Sequence, residues 1–141
     1  MALILTDAGA EIILKSYFKK VNAVNGTSLF LKLFSNDVTP TDTYTKSSFV
    51  ESAGGGYAHK ELLAATWTVS TVNNIAQSAY AQQIFAFTGP LSTNPNVYGY
   101  YIIDADDNLI YAERASFYYV PEANGGYAVT PVFQLSKGTP S

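Results

Sequence analysis

The chain has 141 residues, eight basic and eleven acidic, for a net charge of -3, and it contains no cysteine. That length suits one domain, residues 1–141, able to bury roughly 68–70% of its unfolded surface. The charge excludes a counterion-displacing nucleic-acid partner, and the missing thiols exclude a disulfide scaffold, a cysteine nucleophile and a Cys-ligated metal site.

In chain order, Met1–Leu5 is apolar but has no basic residue, and Asp7 and Glu11 follow at once, so it reads as an arm (residues 1–6) and not as a signal peptide. Ala10, Ile13, Leu14, Tyr17, Phe18 and Val21 then recur at three- and four-residue spacing. That stripe predicts an amphipathic helix over residues 7–21. Thr6 is its expected N-cap. Asp7 and Glu11 near the start and Lys15 and Lys19 near the end suit the helix dipole. Asn25-Gly26 stops it.

After Gly26 the period falls to two, and a β domain is expected over residues 28–135. Leu29–Phe34 is a strand that ends at a turn running to Asp42. Tyr44–Glu51 reads as a weaker strand and Tyr57–Ser70 as one long or bulged strand, with Asn73–Ser78 a polar loop. Tyr80–Thr88 follows, then a hairpin of Val97–Asp104 and Leu109–Ala115, then a short Phe117–Val120. Tyr127–Leu135 is the last strand, confined to an edge or a bulge by Pro131, and residues 137–141 form a tail. One helix and about eight short strands, with no second helix for a parallel crossover, predict a mainly β fold: an antiparallel β-sandwich or jelly-roll-like domain.

No apolar run reaches the ~18–20 residues of a membrane span, and no membrane partner is expected. Charged residues make up only 13% of the chain, with eleven Tyr and eight Phe, where typical soluble domains carry about 25% charge. Val97–Ile103 and Leu29–Phe34 are apolar on both faces. An antiparallel strand normally wets one face, so something must cover the other. The helix and a second subunit are equal candidates.

No segment carries a catalytic signature, and the chain is read as a non-enzyme without cofactor or metal. Asp104, Asp106 and Asn108 open like an EF-hand loop, but Leu109 stands where glycine is needed and Ala115 where the bidentate glutamate belongs. A hairpin turn is favoured. Gly54-Gly55-Gly56 with Lys60 fits neither phosphate-binding glycine pattern. His59, the single histidine, has no G-x-S-x-G elbow to serve and no second His or Cys to share a metal. Glu113 and Arg114 adjoin Phe117-Tyr118-Tyr119, which is read as packing and subunit contact before a sugar-stacking site.

LKLFSNDVTPTDTYT (31–45), GGGYAHKEL (54–62), WTVS (67–70), YAQQIFAFTGPL (80–91) and VYGYYIIDADDNLIYAER (97–114) together resemble small structural proteins of tailed bacteriophages, cyanophages included. The resemblance implies a virion component and transfers no active-site residue. The leading expectation is a capsid cement, or decoration, protein that binds the major capsid protein and itself, as a homotrimer. The alternative is a tail or head-fibre module that binds host glycans, and a small glycan hydrolase is a weaker third reading. The expected contact residues are Leu3, Leu5 and Ile12 of the arm and helix and Tyr98, Tyr100, Tyr118 and Tyr119 of the strands.

Overall fold

The computed structural model describes residues 7–19 and 28–135. Among them the fold is mainly β, with nine strands in antiparallel sheets and one helix near the N-terminus. The expected arm, the C-terminal tail, the Thr6 cap and the predicted end of the helix at residue 21 lie outside the described residues. The chain divides into two compact units, one holding the helix with residues 63–82 and the last strand, the other spanning residues 28–62 and 83–129.

In the first unit the helix α1 (Asp7–Phe18) packs on β3 (Thr68–Val72) and β4 (Ile75–Ala79). Leu14 and Phe18 of the stripe are buried, whereas Ile13 is 51% exposed. The Phe18 ring meets Trp67 at 4.7 Å and Phe133 at 5.1 Å, and Trp67 meets Tyr80 at 5.2 Å. Lys19, at the helix end, donates to the Ala65 and Trp67 carbonyls. Thr71 donates to Glu11 at 2.7 Å. The sheet order is β3-β4-β9, with β9 at Val132–Leu135.

Asn73 and Asn74 make the β3–β4 turn with φ of 51° and 64°, the left-handed pair that a two-residue hairpin needs and that asparagine tolerates. The segment expected as a loop at 73–78 is therefore a hairpin turn followed by strand β4. Its alternation is hidden because the inward residues are small: Ala76 and Ser78 are both fully buried. Pro131, expected within one edge or bulged strand, instead lies in neither strand. It is fully buried, and in sequence it separates β8 (Gly126–Val129) from β9, so the single strand expected over 127–135 is two.

The second unit is built on a four-stranded sheet in the order β2-β1-β6-β7, with β1 at Leu29–Phe34, β2 at Lys60–Leu62, β6 at Val97–Ile103 and β7 at Leu109–Tyr119. The expected long strand 57–70 is instead β2, a 3-10 turn (Ala64–Thr66) and β3. Both central strands are buried, Leu31, Leu33, Phe34 and Val97 at 0% exposure. The cover on the Tyr101 and Ile103 face of β6 comes from the same unit.

On one face, Phe49 stacks on Tyr101 at 4.7 Å, in a cluster with Phe34 and Ile103 that Val38 and Tyr44 close. Residues 44–51 are thus no strand. They hold a 3-10 turn (Lys46–Ser48) and make only an isolated bridge from Glu51 to Phe34, with Tyr44 and Phe49 inserted as plugs. Elsewhere in this unit, Tyr57 stacks on Phe85 at 5.8 Å, and Lys60 lies over the same ring. Phe85 belongs to the two-stranded ribbon of β5 (Gln83–Ala86) and β8.

Gly99 is required where β1, β6 and β7 meet. A Cβ there would sit 2.1 Å from the Glu113 carbonyl oxygen and 2.8 Å from the buried Phe34 ring. Gly99→Ala should cost about 2 kcal/mol by overpacking. A lowered urea midpoint at unchanged slope would register it, and a wild-type midpoint would refute the contact.

Candidate interaction surface

The register between β6 and β7 breaks near one end. Gly99 pairs with Arg114, and the next pair is Val97 with Tyr119. One residue of β6, Tyr98, therefore faces four of β7: Ala115, Ser116, Phe117 and Tyr118. Surplus residues in one strand of a pair must leave the ladder, which bends the strand outward. Phe117 is 87% exposed, Tyr118 60% and Val120 43%, while Pro121 just beyond is fully buried and ties the segment down. The result is an aromatic knob carried on a sheet edge.

The base of the knob is rigid. The Tyr118 ring lies 5.9 Å from Tyr98, and the Arg114 guanidinium sits 5.3 Å over the Tyr98 ring. Arg114 is held by Asp37 at 2.6 Å and donates to the Val38 carbonyl at 3.0 Å. Asn96 donates to the Tyr98 hydroxyl at 3.1 Å. A cation over a ring is worth ~0.5–1 kcal/mol at such a partly exposed site, enough to fix the ring that Tyr118 leans on.

The expected contact residues separate into three groups. Tyr118 is on the knob, with Tyr98 at its base. Tyr119 turns inward against Phe87 at 5.8 Å and Tyr127 at 5.6 Å. Tyr100 is interior, 9% exposed, and donates to Glu113 at 2.7 Å. Burial pushes its hydroxyl pKa well above the ordinary value, and the Glu113 carboxylate adds to the rise. Leu3 and Leu5 lie outside the described residues. Ile12 falls within α1, and its side chain is likewise outside them. Phe117, the most exposed ring, lies in the aromatic run read as packing and subunit contact but was not singled out with Tyr118 and Tyr119.

The remaining motifs have structural employment. Asp104 accepts from the Asp106 and Asn108 backbone N–H groups at 2.9 Å each and from the Asn108 side-chain amide at 3.0 Å. Its oxygens shape the hairpin turn, and Asp107 pairs with Lys46 at 2.8 Å. Among the described residues no three His, Asp or Glu side chains gather as a metal site. His59 is exposed and edge-on to Phe30 at 5.7 Å.

Gly54, Gly55 and Gly56 all have positive φ, and their loop clamps residues 88–92. Thr88 donates to the Gly55 carbonyl at 2.8 Å and Ser92 to the Ala53 carbonyl at 2.7 Å. A Cβ on Gly55 would lie 2.4 Å from the Gly89 carbonyl oxygen, so chain already fills the space that a phosphate would need. Compared with protein-family models, with curated proteins and with solved structures, the chain finds no match in any of the three.

Proposed function

We propose that this chain is a non-enzymatic virion structural protein of a tailed bacteriophage, acting as a capsid cement protein that binds the major capsid protein. The observation that carries the reading is the Phe117–Tyr118 knob. A ring 87% exposed costs free energy in water, and large apolar side chains on a rigid base are what a partner's pocket desolvates. Such aromatic anchors dominate binding energy, each worth ~2–4 kcal/mol or more when truncated. The phage-like segments quoted above supply the biological setting.

The mechanism is mass action. A protein that binds the assembled lattice and not its dissociated subunits stabilises the lattice by its binding free energy. A homotrimer would present three knobs at once and gain further from multivalency. The reading needs no catalytic group.

Capsids lacking this chain, incubated with it and sedimented, provide the test. The native chain should co-sediment and raise the temperature at which the particles open. The double variant Phe117→Ser with Tyr118→Ser should lose about a hundredfold or more in affinity, with unchanged circular dichroism showing that it still folds. Native-like binding by that variant removes the knob from the mechanism, and failure of the native chain to co-sediment removes the capsid reading. The same rings would also serve a tail or head-fibre module that stacks on host glycans. In that case the double variant abolishes host adsorption and leaves particle stability unchanged.

A further inference from the structure

Away from the knob, the start of β7 and the turn before Tyr44 enclose a half-open cleft of about 290 Å³. One wall is the turn Thr41–Tyr44, closed by the Tyr44 N–H donating to the Thr41 carbonyl at 3.1 Å and by a 3.0 Å contact between the Thr41 and Thr43 hydroxyls. The other wall is Leu109 to Ala112.

A second register break shapes that wall. Ile103 pairs with Leu109 and Ile102 with Tyr111, so Ile110 is a surplus residue in the ladder. Bulges of this kind bend an edge strand and often border binding sites. The floor is firm, because Tyr44, Leu109 and Ala112 all pack against the buried Phe49–Tyr101 cluster.

The lining selects a ligand class. Pro40, Leu109 and Ile110 are apolar, and Tyr44 offers an aromatic ring. Asp42 offers an exposed carboxylate that makes no hydrogen bond or ion pair with any described residue. No basic side chain lines the cleft, so phosphate and carboxylate ligands find only repulsion. A single carboxylate is too little for a hard cation, which takes six or more oxygens. These features suit a small neutral molecule with one apolar face and several hydroxyls. The volume sits at the low end for ligand pockets, ~300–1,000 Å³, and fits one ring.

We infer that the cleft binds a neutral pyranose, whose C–H face lies on Tyr44 and Ile110 while its hydroxyls donate to Asp42. The inference stands on the cleft alone, and it holds or fails independently of the knob and of the capsid reading.

Ligand-observed saturation-transfer NMR on the full chain tests it, with D-glucose, D-galactose, N-acetylglucosamine and D-glucuronate as probes. At least one neutral sugar should saturate in the low-millimolar range, with D-glucuronate clearly weaker. Asp42→Ala should weaken the neutral sugar by about tenfold, the loss expected for one hydrogen bond to a charged group. Asp42→Asn, which keeps an acceptor and drops the charge, should retain the neutral sugar and bring D-glucuronate level with it. Asp42 is exposed, so both variants should fold, and unchanged circular dichroism checks that they do. The inference is overturned if no neutral sugar saturates, or if both Asp42 variants bind all four probes as the native chain does.

Discussion

Replacing Trp67 by alanine should lower the unfolding free energy by about 3–5 kcal/mol, the range for truncating a buried large aromatic. Trp67 is 1% exposed and is gripped by Phe18 and Tyr80, while its carbonyl accepts from Lys19. Truncation would open a void between the Phe18 and Tyr80 rings. Trp67→Phe should behave differently. The indole Nε1–H is buried with no hydrogen-bond acceptor among the described residues, and an orphaned buried donor costs about 1–3 kcal/mol. Removing it offsets part of the lost packing, so the phenylalanine variant should lose under half as much as the alanine one. Urea unfolding followed by far-ultraviolet circular dichroism is the measurement, because Trp67 is the only tryptophan and its fluorescence disappears with it. Equal losses for the two variants would show that the indole nitrogen is satisfied after all.

Helix and central strands were legible in the sequence because their signals are periodic along one segment. The three- and four-residue spacing marked α1, and the runs Leu29–Phe34 and Val97–Ile103 are β1 and β6 to the residue or nearly so. What stayed hidden belongs to relations between segments. Tyr44 and Phe49 look like parts of a strand, yet each inserts separately into the same cluster over β6. The apolar second face of β6 gave a true signal that something covers it. On the face of Tyr101 and Ile103 the cover is the pair of plugs Tyr44 and Phe49.

The knob shows the same boundary. Tyr118 stood out as an aromatic beside a charged pair, but Phe117 rose above it only because β7 carries three residues more than β6 between their paired positions. Periodicity counts residues along one strand, whereas a bulge is a surplus of one strand over its partner. Likewise the acidic partner of Tyr100, Glu113, is thirteen positions away and directly opposite across the β6–β7 pairing. Nothing local to Tyr100 announces that its hydroxyl is spoken for.

Those interior hydroxyls carry the largest expected effect, an alkaline unfolding. Tyr57 donates to Glu51 at 3.1 Å and accepts from the Leu33 N–H at 3.2 Å, Tyr100 donates to Glu113, and Tyr101 is 1% exposed. Burial raises the pKa of all three well above the ordinary value. The Leu33 N–H pulls Tyr57 back only in part, and nearby carboxylates add to the rise in each case. In the unfolded chain the same phenols ionise near pH 10. Above about pH 10 the unfolded state therefore holds fewer protons than the folded one, and stability must fall as pH rises. Below pH 10 both states keep the proton and these residues contribute no slope. Each phenol that keeps its proton on folding contributes a loss of about 1.4 kcal/mol per pH unit. Two or three acting together would consume a typical stability of ~5–15 kcal/mol within a few pH units. Urea midpoints should be flat from neutrality to about pH 9.5 and then drop steeply, with phenolate absorbance appearing in the same transition. Tyr57→Phe combined with Tyr100→Phe should make the alkaline slope visibly shallower, even if the pair costs some stability at neutral pH. A midpoint that stays level through about pH 11 would mean that the rings ionise in place, and that burial does not hold these protons.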